Sequence, residues 1–178
     1  ADALKDGKYV KNPAVVTRGD TDFKGVKDSE IEKLKLKDAI QMHRDTKIAI
    51  ENYVADNNLN PVKPTILVSC KDTTHAKSIF DYVTSDEFYD GEFKEKTLQI
   101  DSTSKTDEQV EQLLTLEKTA NSIEIVIHVD MLKEGWDVSN LYTIVPLRAA
   151  NALTLIEQTI GRGLRLPFGG KRTGVEKV

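Results

Sequence analysis

The residues best suited to chemistry stand near the end of the chain, in Gln158-Thr159-Ile160-Gly161-Arg162-Gly163-Leu164-Arg165. Leu153, Ile156, Ile160 and Leu164 recur at helical spacing, and at about 100° per residue they fall on one side of a single helix. Gln158, Arg162 and Arg165 stand at i, i+4 and i+7 and fall on the other side. A guanidinium is planar, permanently charged and forked, so it suits fixed recognition of phosphate oxygens. Gly161 and Gly163 each cost a helix roughly 1 kcal/mol against alanine. That cost points to something approaching the backbone closely. Two arginines alone fit a basic helix face left to solvent equally well; the glycines and the chain before them favour a phosphate site.

The preceding elements must carry that helix. Residues 65–70 form a short apolar run after a proline, read as a buried strand. Asp72-Thr73-Thr74 caps a helix whose Ala76, Ile79, Phe80 and Val83 face inward. Residues 85–96 are a polar connection, with Asp90-Gly91 at a turn that suits a small hairpin. Residues 97–100 are the next strand, and Thr106 with Gln109 matches a capping box leading a helix with Val110, Leu113 and Leu114 inward. Strands follow at 123–129 and 142–146, with a loop containing Gly135-Trp136-Asp137 between them. Strands separated by helices imply an α/β fold, an open and mostly parallel sheet with helices on both faces. Ligands bind such sheets beyond the carboxyl ends of the strands. The segments Ser69-Cys70-Lys71, Asp101-Ser102-Thr103 and 130–137 leave those ends and can share one surface with Arg162 and Arg165.

Before the sheet, residues 28–57 read as a long helix. Ser29 with Glu32 matches a capping box, Ile31, Leu34, Ala39, Ile40, Ile50 and Val54 supply an apolar side, and Asn57-Asn58 closes it. Lys33, Lys35 and Lys37 read as a solvated face. Residues 1–27 are a mixed leading segment with short extended pieces around Asn12-Pro13.

Bulk properties narrow the class. The 178 residues are 30% charged and carry a net charge of −4. Residues 148–178 hold six basic and two acidic side chains, a balance of +4 that leaves −8 for the remainder. A basic end on an acidic body suits a local anion site better than a surface coated for nucleic acid. One cysteine, Cys70, excludes an internal disulfide, reads as a buried strand thiol and fits a reducing, cytoplasmic setting. No run is long and apolar enough to span a membrane as a helix. His43, His75 and His128 lack metal-ligand spacing, so no metal is assigned to this chain.

Taken together, these motifs resemble a known family. Gln158 to Arg165 is similar to motif VI of superfamily 2 helicases, Q-x-x-G-R-x-x-R, and residues 131–137 resemble motif V with its G-x-D ending. Residues 65–70 resemble motif IV, and residues 98–102 the short motif after it. The phrases M-L-K-E-G-W-D-V, I-V-P-L-R-A-A-N and E-Q-T-I-G-R-G-L-R-L-P look most like the helicase subunit of type III restriction enzymes. Strong matches run over 65–167, and residues 6–13 also resemble the stretch leading into this domain.

The resemblance implies the second RecA-like domain of a two-domain, ATP-driven motor. Residues 1–60 are then a leading segment and long helix packed on the domain, and 61–178 the RecA-like helicase C-terminal domain, a single domain from a larger protein. Arg162 and Arg165 match the arginines that reach the γ-phosphate, with Arg165 the finger. Gln158, Gly135 and Asp137 match positions near the nucleotide, the aspartate accepting from a ribose hydroxyl. Ser69, Lys71, Ser102 and Thr103 occupy loops that touch the nucleic-acid backbone in relatives. Val129 stands where many relatives have a threonine, and Thr159 where an arginine is common. Neither a G-x-x-x-x-G-K-[ST] loop nor a D-E-x-H-like motif occurs in the sequence. ATP and Mg2+ are therefore expected mainly on a first motor domain, with nucleic acid, DNA by the resemblance, as track. The remaining expected partners are that N-terminal RecA-like domain and a modification (methyltransferase) subunit. A nuclease is expected elsewhere in the full protein. A binding module for nucleic acid or another anion, without hydrolysis, is the alternative reading.

Overall fold

The computed structural model describes residue 16 and residues 23–101, 106–129 and 139–147. Within them, helix α1 (Asp28–Asn57) leads into strand β1 (Thr65–Ser69), helix α2 (Thr73–Val83), strand β2 (Thr97–Asp101), helix α3 (Asp107–Leu114), and strands β3 (Ile125–Val129) and β4 (Leu141–Pro146). The sheet order is β2-β3-β1-β4, and every pairing is parallel. Among the described residues, no helix is long and apolar enough to cross a membrane.

Both faces of the sheet are covered, which is why β1 and β3 are buried along their whole length and mostly apolar rather than alternating. Ile66 and Val68 of β1 and Ile125 and Ile127 of β3 join Ile40 of α1 and Ile79 of α2 in one core. Leu67, Leu98, Ile100 and Val126 join Leu113 of α3 in a second core on the opposite face. β4 changes face midway. Thr65 lies opposite Leu141 but Ile66 lies opposite Thr143, so Tyr142 is an extra residue in β4. This bulge lets Leu141 enter the α3-side core while Val145 and Leu147 enter the α1–α2 core.

At its start, α1 departs from expectation. No side chain caps it; Lys27 precedes the first turn, and Glu32 is drawn to α2 instead of to its own backbone. A polar contact with His75 of another helix takes the place of a capping bond worth roughly 1 kcal/mol. Asn58 closes the other end in the left-handed conformation (φ 50°), with the Leu59 N–H donating to the Val54 carbonyl. The buried side of α1 includes Leu36, Ala39, Ile40 and Ile50, and also the polar His43 and Thr46. His43 donates from Nε2 to Glu124 at 3.0 Å, and Lys47 and Lys96 lie 3.7 and 3.4 Å from the same carboxyl group. The His43 bond, then the two lysines, hold the Glu124 carboxyl down to about 2 against the opposing effect of burial.

The connection between α2 and β2 is not a hairpin. It is two short 3-10 turns, Tyr89–Gly91 and Lys94–Lys96. Tyr89, Asp90 and Gly91 all have positive φ, and a Cβ at Gly91 would meet Asp86 Oδ1 at 2.8 Å. Left-handed backbone at two non-glycine residues costs roughly 1 kcal/mol or more each. A cluster of rings offsets it: Phe88 and Phe93 are buried, Tyr89 packs edge-on to both, and the Arg44 guanidinium of α1 lies 4.7 Å over the Tyr89 ring. The same patch ties α1 down through Lys33–Glu87 at 3.0 Å and Arg44–Glu92 at 2.6 Å. Lys33 is thus partnered rather than simply solvated.

The expected cap of α3 is present in full. The Thr106 hydroxyl accepts from the Gln109 N–H, and the Gln109 side chain accepts from the Thr106 N–H. Leu114 does not face inward: it is 77% exposed, because the helix stops there and Leu116 of the following turn fills the core place.

Candidate functional site

Because the four strands are parallel and in register, their carboxyl ends form one edge. Ser69 lies opposite His128 on one side and Pro146 on the other, and Asp101 lies opposite Val129. The ladder continues past the strands, with the Cys70 N–H donating to the His128 carbonyl at 2.9 Å and the Leu147 N–H to the Ser69 carbonyl at 3.0 Å. All four strands therefore end at the same edge, and residues 70–72 leave it toward α2.

The first of these loops is described in full. Asp72 caps α2, accepting from the His75 N–H at 2.7 Å. The His75 ring folds back so that Nδ1 accepts from the Lys71 N–H at 3.3 Å. Its Nε2 lies 3.1 Å from Glu32 Oε1 of α1, within ion-pair range but off the hydrogen-bond direction, which is why the same nitrogen also counts as lacking a hydrogen-bond partner. The imidazole is 8% exposed, whereas Lys71, Thr73 and Thr74 are exposed beside it. The loop thus presents one ammonium and two hydroxyls at the start of a helix, where N–H groups and the helix dipole favour anions.

Ser69, expected beside the nucleic-acid backbone, is enclosed. It is 0% exposed, and its Oγ has no hydrogen-bond partner among the described residues. As the last residue of a strand covered on both faces, it presents no surface in this conformation to a nucleic-acid backbone. Of the two candidates at the end of β1, Lys71 is the exposed one. Cys70 is buried as expected, and burial, with the Glu32 and Asp72 carboxylates nearby, pushes its thiol up to about 12. Val129 is 9% exposed and packs in the α1–α2 core at the end of β3, so position 129 offers neither a hydroxyl nor a surface.

Ser102, Thr103, Gly135, Asp137, Gln158, Arg162 and Arg165 lie outside the described residues, as do Trp136 and Arg148. Among the described residues no group of three or more His, Cys, Asp or Glu side chains could hold a metal ion. Sequence reasoning missed His75 and Glu32. A usable signal was present for the first: an Asp cap followed three residues later by a histidine, whose ring can reach back to the residue before the cap. Nothing local marks Glu32, which stands at a capping-box position and meets His75 instead.

Two comparisons with known proteins accompany this geometry. The family model described as "Helicase conserved C-terminal domain" matches residues 46–167, more than half of the chain. A 46-residue stretch, 25% of the chain, is 52% identical to the "Probable type III restriction-modification enzyme HindVIP Res subunit" of Haemophilus influenzae. That stretch spans 9% of the relative's length.

Proposed function

The chain belongs to the helicase conserved C-terminal domain family, and on that premise we propose that it is the second motor domain of an ATP-dependent DNA translocase. The observation that carries the reading is the common carboxyl edge at which all four parallel strands end and from which the loop with Lys71 leaves; in the sequence the Gly135–Asp137 motif follows β3 and the Arg162–Arg165 motif follows β4. The chain's own residues suit one side of a nucleotide site. They include arginines for the γ-phosphate and no phosphate-cradling loop, so ATP as substrate is held mainly by a first motor domain. Mg2+ would be held by that first domain and would supply neutralisation of phosphate charge, with no residue of this chain assigned to it.

In this reading Arg165 stabilises the negative charge that grows on the transferring phosphoryl group, and Arg162 helps to orient it. Such a finger contributes roughly 10³–10⁵ in rate, about 4–7 kcal/mol. Gln158 and Asp137 line the nucleotide side, and Lys71, Ser102 and Thr103 meet the nucleic-acid backbone. Contacts to phosphates position without reading sequence, so the domain grips DNA of any sequence while closure and opening of the cleft move it. The similarity to a Res subunit supports a restriction system as the setting, with a modification subunit as partner.

The test uses the isolated chain. It is expected to show no ATP turnover, and to bind mixed-sequence DNA weakly and with strong salt dependence. Tight, sequence-selective binding that resists salt would replace this reading with that of a self-sufficient binding module.

A further inference from the structure

We propose that His75, packed beside Glu32, is a positioning residue that sets Lys71 for contact with a nucleic-acid phosphate. The inference rests on the assignment of Lys71 under the proposed function and goes beyond it, because that reading gives no role to His75 or Glu32. Three observations carry it. Lys71 and Asp72 link β1 directly to α2, with only the Cys70 N–H still in the sheet ladder. The Lys71 N–H donates to His75 Nδ1, which fixes the backbone at residue 71 and hence the direction in which its side chain leaves the chain. The third is that Nε2, on the far side of the ring, lies 3.1 Å from Glu32 Oε1 as a close polar contact without a hydrogen bond.

The ring cannot easily leave this arrangement. His75 is buried at the first turn of α2, its own N–H is engaged by Asp72, and Glu32 comes from a different helix. A lysine on an otherwise free loop loses much of its rotamer and backbone freedom on gripping a phosphate. Fixing the backbone beforehand removes part of that loss, so the effect appears in affinity for nucleic acid. The chain Glu32–His75–Lys71 also connects α1 with the carboxyl edge of the sheet.

The experiment compares Lys71→Ala, His75→Gln, His75→Asn and the double variant Lys71→Ala/His75→Gln in the full protein. It measures affinity for mixed-sequence single- and double-stranded DNA against salt, together with melting temperature. Lys71→Ala is expected to reduce the slope of log affinity against log salt by about one contact. Glutamine cannot place an acceptor where Nδ1 stands, so His75→Gln is expected to reduce the slope and the affinity in the same way. The double variant is expected to be no weaker than Lys71→Ala alone. Asparagine carries an oxygen near the Nδ1 position, so His75→Asn is expected to restore most of the binding. Unchanged slope and affinity in His75→Gln, or losses that multiply in the double variant, would overturn the inference while leaving Lys71 in place. No change in Lys71→Ala would instead remove Lys71 from the nucleic-acid surface, and the inference with it.

Discussion

Cys70 and Lys71 are neighbours in sequence with opposite surroundings. Cys70 is enclosed, and its thiol is pushed up to about 12, so at pH 8 it is almost wholly the unreactive thiol. Lys71 is exposed one residue later. The native protein is therefore expected to resist a disulfide reagent at pH 8 and to react fully once unfolded in denaturant; rapid labelling of the native state would contradict the burial of β1's end. The apolar run through Cys70 made this thiol's burial legible in the sequence. Ser69 was not legible in the same way. A serine at the end of a strand reads equally as a surface contact or an enclosed hydroxyl, and only the covering of both sheet faces decides between them. Glu32 shows the same limit, since a capping-box spacing specifies where the carboxylate can reach locally and says nothing of a histidine arriving from another helix.

Among the elements, α1 is fastened to the sheet by a buried ionic contact as well as by apolar packing. Glu124 precedes β3 and meets His43 and Lys47 of α1 and Lys96 before β2. Its folded pKa lies below the ordinary carboxylate value of 4.5, at about 2. A depressed carboxylate stabilises the fold above its unfolded pKa, and that contribution is lost as pH falls from the unfolded value through the folded one. Urea titrations are expected to show about 3 kcal/mol lost across this window, with a shallower acid limb in Glu124→Gln; identical acid limbs in the two proteins would show that the contact adds nothing. The strands, the long helix and the α3 cap were readable because each is local, through period, length or a spacing of three. The His43–Glu124 pair spans 81 residues, and the bulge at Tyr142 follows from how β4 serves two cores. Neither leaves a local trace. The strained turn at Tyr89 was hidden for a related reason, because aromatic packing from distant positions outweighs the turn that Asp90-Gly91 would prefer in isolation.

For the molecule as a whole, the parallel sheet brings the carboxyl ends of its four strands to one edge. The order of motifs along the chain was legible as text; the order β2-β3-β1-β4 was not, since helix and strand periods do not specify which strands are neighbours. In the proposed function an arginine of this domain stabilises a phosphoryl group held by another. The direct measurement is ATP turnover and ATP affinity of the full protein with Arg165→Ala. Turnover is expected to fall by roughly 10³ or more, with ATP affinity changed by less than about tenfold, since transition-state charge is affected more than ground-state binding. Turnover at the unsubstituted rate in that variant would contradict the claim.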